Sequence, residues 1–108
     1  MKQYRVKITD KALADMESIY QYIATELQVP ATALRQYNRI ADAVESLAAA
    51  PKRCKLFDSQ PEHDMGIRQR LVDNYAVIFV VDDAMDMVTV LRVLYSASDI
   101  NTRLREGR

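Results

Sequence analysis

The chain contains no tryptophan, and its 108 residues include only two glycines, three prolines, one cysteine and one histidine. So little glycine and proline excludes a flexible linker or a low-complexity segment. With 49% apolar residues there is enough material for a core, so a single domain over 1–108 is expected. Cys54 stands alone, which excludes an internal disulfide, and with His63 as the one histidine the Cys/His sets that hold zinc are missing. No metal and no other cofactor is expected. The longest apolar run, Ala76–Val81, falls far short of the ~20 residues that cross a bilayer, and Met1, Lys2, Gln3, Tyr4 and Arg5 do not open a signal peptide. These absences point to the cytoplasm and to a chain with no membrane contact.

Charge of one sign is missing as well. Fifteen Lys and Arg offset fifteen Asp and Glu, and the first fifty residues hold six of each. A protein that neutralises long stretches of phosphate carries a positive excess. Any nucleic-acid contact here must therefore be a local patch. There is also no glycine-rich phosphate loop, no nucleophile elbow and no Ser/His/Asp set.

What the sequence does contain is clear periodicity. Tyr4, Val6 and Ile8 alternate with Arg5 and Lys7, which predicts a half-buried strand from about Gln3 to Ile8. Thr9 and Asp10 are good helix caps, and after them Leu13, Met16, Ile19, Tyr20, Ile23 and Leu27 recur at steps of three and four. Pro30 fits the first position of a second helix, whose stripe runs through Ala33, Leu34, Tyr37, Ile40, Ala41, Val44, Leu47 and Ala48 until Pro51 stops it. The short link between the helices makes them antiparallel. Lys52 to Gly66 has no period and reads as a loop. Ile67–Val72, Tyr75–Val81 and Met87–Tyr95 read as a three-stranded meander, turning at Asp73 and Asn74 and again over Asp82–Asp86. The middle strand is apolar on both faces, which places it at the sheet centre. Ser98 to Arg105 predicts a short last helix capped by Ser98. The fold class is α+β: two antiparallel amphipathic helices on an antiparallel sheet.

Chemistry is carried by a few cations. Arg68 and Arg70 lie two apart on one strand and share a face, opposite Ile67 and Leu71. Arg92 interrupts the apolar run Val90, Leu91, Val93, Leu94, and a guanidinium there needs water, a carboxylate or a ligand. Asp73, Asp99 and Glu62 are the acids within reach for an ordinary salt bridge. Lys52, Arg53 and Lys55 form the densest basic run, either a phosphate patch or a solvated face given Asp58, Glu62 and Asp64 nearby. Arg53, Lys55 and Tyr75 are taken as candidate binding residues. Tyr95 closes the last strand, either as a core or rim residue or as a proton donor. His63, in a loop between two acids, reads as solvent-exposed.

The order of these elements and the strings "KALADMESIYQYIA", "IADAVESLAAAP", "IRQRLVDNYAVIFVVD" and "VTVLRVLYSASDI" resemble the RelE/ParE family of toxins from bacterial type II toxin-antitoxin systems, over almost the whole chain. The resemblance implies a growth inhibitor neutralised by a cognate antitoxin, with a toxin-antitoxin hetero-oligomer as the resting form. It implies one of two targets: DNA gyrase, or mRNA on the ribosome, the latter cut by a metal-independent endoribonuclease. An inactive remnant kept as an interaction module is a third reading. In the nuclease branch basic residues act from the exposed sheet face, and Arg68, Arg70, Arg92 and Tyr95 are the matching catalytic candidates. Ala76 stands where nuclease relatives tend to carry an arginine, and the chain after Tyr95 is not basic, which tilts the expectation toward gyrase.

Overall fold

The computed structural model describes residues 2–106. The elements in chain order are β1 (Arg5–Ile8), α1 (Asp10–Gln21), a π-helical turn (Tyr22–Glu26), α2 (Pro30–Ser46), a 3-10 turn (Pro51–Arg53), β2 (Lys55–Leu56), β3 (Ile67–Val72), β4 (Tyr75–Asp82), β5 (Met87–Tyr95) and α3 (Ile100–Glu106). The expected α+β architecture is present, with β3, β4 and β5 as the antiparallel meander.

The sheet is mixed rather than purely antiparallel. Its order is β1-β5-β4-β3-β2, and β1 runs parallel to β5, with Arg5 beside Met87 and Ile8 beside Val90. Parallel neighbours need a long connection, and here the chain crosses through α1 and α2 to β2 at the far edge and returns through β3 and β4 to β5. The loop expected over Lys52–Gly66 begins within the 3-10 turn and also holds the two-residue β2, paired antiparallel to β3. Two residues are too few to show a period.

Local chemistry sets the helix ends. Thr9 is extended and its Oγ1 accepts the Ala12 N–H at 3.2 Å, while the same hydroxyl donates to Val90 O at 2.9 Å. One side chain thus starts α1 and ties it to β5. Pro30 opens α2, where its missing N–H costs nothing. The helix ends at Ser46, short of Pro51, because the chain must turn to let Ala48 O accept the Tyr4 N–H at 2.8 Å. In α3 the cap is Asp99 rather than Ser98: its carboxylate accepts from the N–H and the hydroxyl of Thr102. Ser98 instead donates to Tyr95 O.

Two cores flank the sheet. On one face Ala12, Met16, Ile40, Val44 and Leu47 of the helices cover Val72, Val77, Phe79, Val88, Val90 and Val93. On the other, Leu104 of α3 covers Phe57, Ile67, Ala76, Ile78 and Leu94. β4 is the middle strand and is buried on both sides, as its sequence requires. Phe79 is fully buried, and burial of a phenylalanine side chain is worth roughly 1.5–3 kcal/mol relative to leaving it in water.

Candidate functional site

Arg68 and Arg70 do share a face, but it is the face that α1 and α2 cover. They register with Phe79 and Val77, both under the helices, and sit at the margin of that layer. The face of β3 turned toward α3 carries Ile67, Gln69 and Leu71 instead. Arg68 Nη1 donates to Cys54 O at 2.7 Å and Lys52 O at 3.3 Å, so one of its nitrogens holds the 3-10 turn and β2 against β3. Arg70 is exposed and lines a recess with Arg39 and Asp42. Neither arginine pairs with Asp73, Asp99 or Glu62. Asp73 is held by Arg39, which donates through Nε at 2.7 Å and Nη2 at 3.0 Å; Asp99 caps α3; Glu62 is fully buried and takes Arg105.

Arg92 lies on the opposite face, in register with Ile78, beside a bulge in β5. Its partner is Asp15 on α1, a residue the sequence did not single out. Nε donates to Oδ2 at 2.7 Å and Nη2 to Oδ1 at 2.9 Å, and Oδ2 also accepts the Val93 N–H at 3.0 Å. That N–H belongs to the part of β5 that β1 is too short to reach, so Asp15 satisfies a sheet edge and a guanidinium together. The Asp15 hydrogen bonds raise the pKa of Arg92 above its ordinary value.

Tyr95 pairs across the ladder with Tyr75, the two rings edge-to-face at 5.9 Å. Both line a groove of about 620 Å³ whose other walls include Ile19, Tyr22 and Leu27 from the α1 end and Arg103 from α3. Tyr22, Leu27 and Tyr95 are each more than half exposed. Such clustering of large apolar side chains marks a contact surface. Burial, reinforced by Tyr95, pushes the pKa of the Tyr75 hydroxyl above its usual range, which makes it a poorer proton donor.

The basic run disperses. Lys52 pairs with Asp83, Lys55 with Asp58, and Arg53 projects to solvent. His63 is half-exposed beside Asp64. The four catalytic candidates therefore do not converge: Arg70, Arg92 and Tyr95 line different recesses, and Arg68 is engaged with backbone carbonyls. On the open face, β3 and β4 present no cation and β5 presents only Arg92.

The model of the ParE toxin of the parDE type II toxin-antitoxin system matches residues 6–100. Among curated proteins none matches the chain. Among solved structures, the chromosomal ParDE system from P. aeruginosa is similar with a TM-score of 0.71 at 23% identity, covering 88% of this chain and 98% of that one. The RelBE2 toxin-antitoxin complex from Mycobacterium tuberculosis gives 0.63 at 21% identity over 91% and 97%. A mutant of the E. coli toxin RelE in the free state gives 0.63 at 14% identity over 97% of each chain. At these identities the structures speak for the fold, and the family model, which spans most of the sequence, speaks for the lineage: the chain belongs to the ParE toxin family of type II toxin-antitoxin systems.

Proposed function

We propose that this toxin arrests growth by binding a protein target, with DNA gyrase preferred, and that a cognate antitoxin neutralises it by seating a segment in the tyrosine-lined groove. The observation that carries the first part is the separation of Arg68 and Arg70 from Arg92 by the thickness of the sheet. Cleavage of RNA by 2′-hydroxyl attack needs a base, an acid and cations around one phosphate. Here Arg92 is committed to Asp15, whose carboxylate is taken up by that guanidinium and the Val93 N–H, and Arg68 and Arg70 stand across the sheet from it. Protein contact needs no such convergence. The groove supports the second part, because exposed tyrosine and leucine in a concavity suit an apolar segment of a partner.

The test is inducible expression of the chain, scored for growth arrest, with supercoiling by purified gyrase and transcript cleavage measured in parallel. The expected result is arrest, loss of supercoiling and intact transcripts, all unchanged by Tyr95→Phe. Transcript cleavage that disappears in Tyr95→Phe would establish the endoribonuclease instead. Absence of any arrest would leave an inactive interaction module.

A further inference from the structure

We propose that Arg68 and Arg70, with Arg53 beside them, form a docking site for the carboxylates of an extended acidic segment of a protein partner. This rests on the reading above that the chain acts through protein contact. The two β-strand positions lie on one face, two residues apart, a repeat of roughly 6.5–7 Å that matches alternate residues of another extended segment. Arg68 is already fixed by its Nη1 bonds to two carbonyls, and its remaining donors stay available. Arg70 and Arg53 are exposed, and among the described residues neither forms an ion pair or side-chain hydrogen bond.

Cys54 reports on the same place. It continues the line of β2 toward Arg70, and burial raises its thiol pKa, a rise that Arg70 and then Arg68 offset only in part. Both guanidiniums therefore act on one half-buried thiol. The neighbouring acids do not neutralise them: Asp73 is held by Arg39, Asp58 by Lys55 and Asp83 by Lys52, while Asp42 lines the recess with Arg70 without pairing to it. A net charge of zero supplies no extended positive field for a continuous phosphate chain. Discrete carboxylates set one to one against forked guanidiniums need no such field and gain bidentate bonds.

The probe is a fluorescein-labelled peptide Ser-Val-Glu-Val-Glu-Val-Ser, its glutamine counterpart and a short single-stranded RNA, titrated by anisotropy at low salt against the whole chain. The glutamate peptide should bind roughly tenfold more tightly than the glutamine one, the size expected for charge-assisted hydrogen bonds. Arg70→Gln should remove most of that difference without shifting the melting temperature, and Arg5→Gln should leave it intact. Bound peptide should also slow alkylation of Cys54 by iodoacetamide. Equal binding of the two peptides, an unaltered Arg70→Gln variant, or tighter binding of the RNA would overturn the site. Growth arrest without peptide binding would sink this proposal alone; binding without arrest would sink the toxin's activity and spare the site.

Discussion

Removal of the Asp15 carboxylate should be among the most damaging single changes in the molecule outside the apolar core. Asp15 and Arg92 have only 14% and 16% of their side-chain surface exposed, and the carboxylate accepts three hydrogen bonds. Asp15→Ala strands a guanidinium and the Val93 N–H together. Breaking a buried pair from one side costs about 3–5 kcal/mol, and since some water still reaches this one the lower end applies, about 3 kcal/mol. For a domain of this size that lowers the melting temperature by roughly 12–20 °C. Arg92→Met should cost less, about 1–2 kcal/mol, because Asp15 keeps the Val93 N–H and can turn toward solvent. Urea denaturation of both single variants and the double variant, followed by circular dichroism, closes the cycle. The double variant should be clearly more stable than the sum of the singles implies. A coupling below about 0.5 kcal/mol would refute the reasoning, since it would mean the pair is screened like any surface contact.

Other outcomes follow from the same contacts. Glu62 is fully enclosed and Arg105 beside it holds its carboxyl below the usual range. Its contribution is therefore complete above the ordinary glutamate value of about 4.3 and is lost as pH falls through the lowered one. Tryptic cleavage after Arg103 should accelerate under Glu62→Gln at neutral pH, as α3 loses this anchor. At the hairpin, Asp73 has φ of +55°, which asparagine tolerates and β-branched residues do not. Asp73→Asn keeps the turn and loses only the exposed Arg39 pair, so it should lower the melting midpoint slightly, whereas Asp73→Val should lower it by several degrees. Tyr22→Ala and Leu27→Ser, at positions more than half exposed, should change stability by no more than about 0.5 kcal/mol but weaken neutralisation by antitoxin in a growth-rescue assay.

The elements themselves were legible because each carries a period. The double-sided β4 is buried as its sequence requires, and the stripes of α1 and α2 supply Met16, Ile40 and Val44 to the core, but Ile8, Leu13, Leu27 and Leu34 at the margins of those patterns stay exposed. Orientation and neighbour are another matter. Tyr4, Val6 and Ile8 say that a strand has one buried face, but nothing in four residues says that it will lie parallel to β5. β2 escaped for a related reason, since Lys55 and Leu56 form a strand only because β3 offers them an edge. Asp15 escaped because an acid on the polar flank of a helix looks like any solvated residue, and its partner is 77 positions away.

The arginines show where periodicity stops being informative about function. That Arg68 and Arg70 share a face follows from the two-residue repeat of a strand. Which face it is depends on what covers β4, and β4 is apolar on both sides, so it gives no preference. The decision is made elsewhere, by α1 and α2, whose stripes are broad enough to claim Val77 and Phe79, while the seven-residue α3 takes Ala76 and Ile78. Had the layers been exchanged, Arg68 and Arg70 would have left the helical layer but Arg92 would have passed under it, because the ladder sets them on opposite sides of β4. The register of β3 and β5 against a doubly buried β4 thus keeps these cations from surrounding one phosphate, and the covering layers decide only that Arg68 and Arg70 stand at the margin of the helical layer.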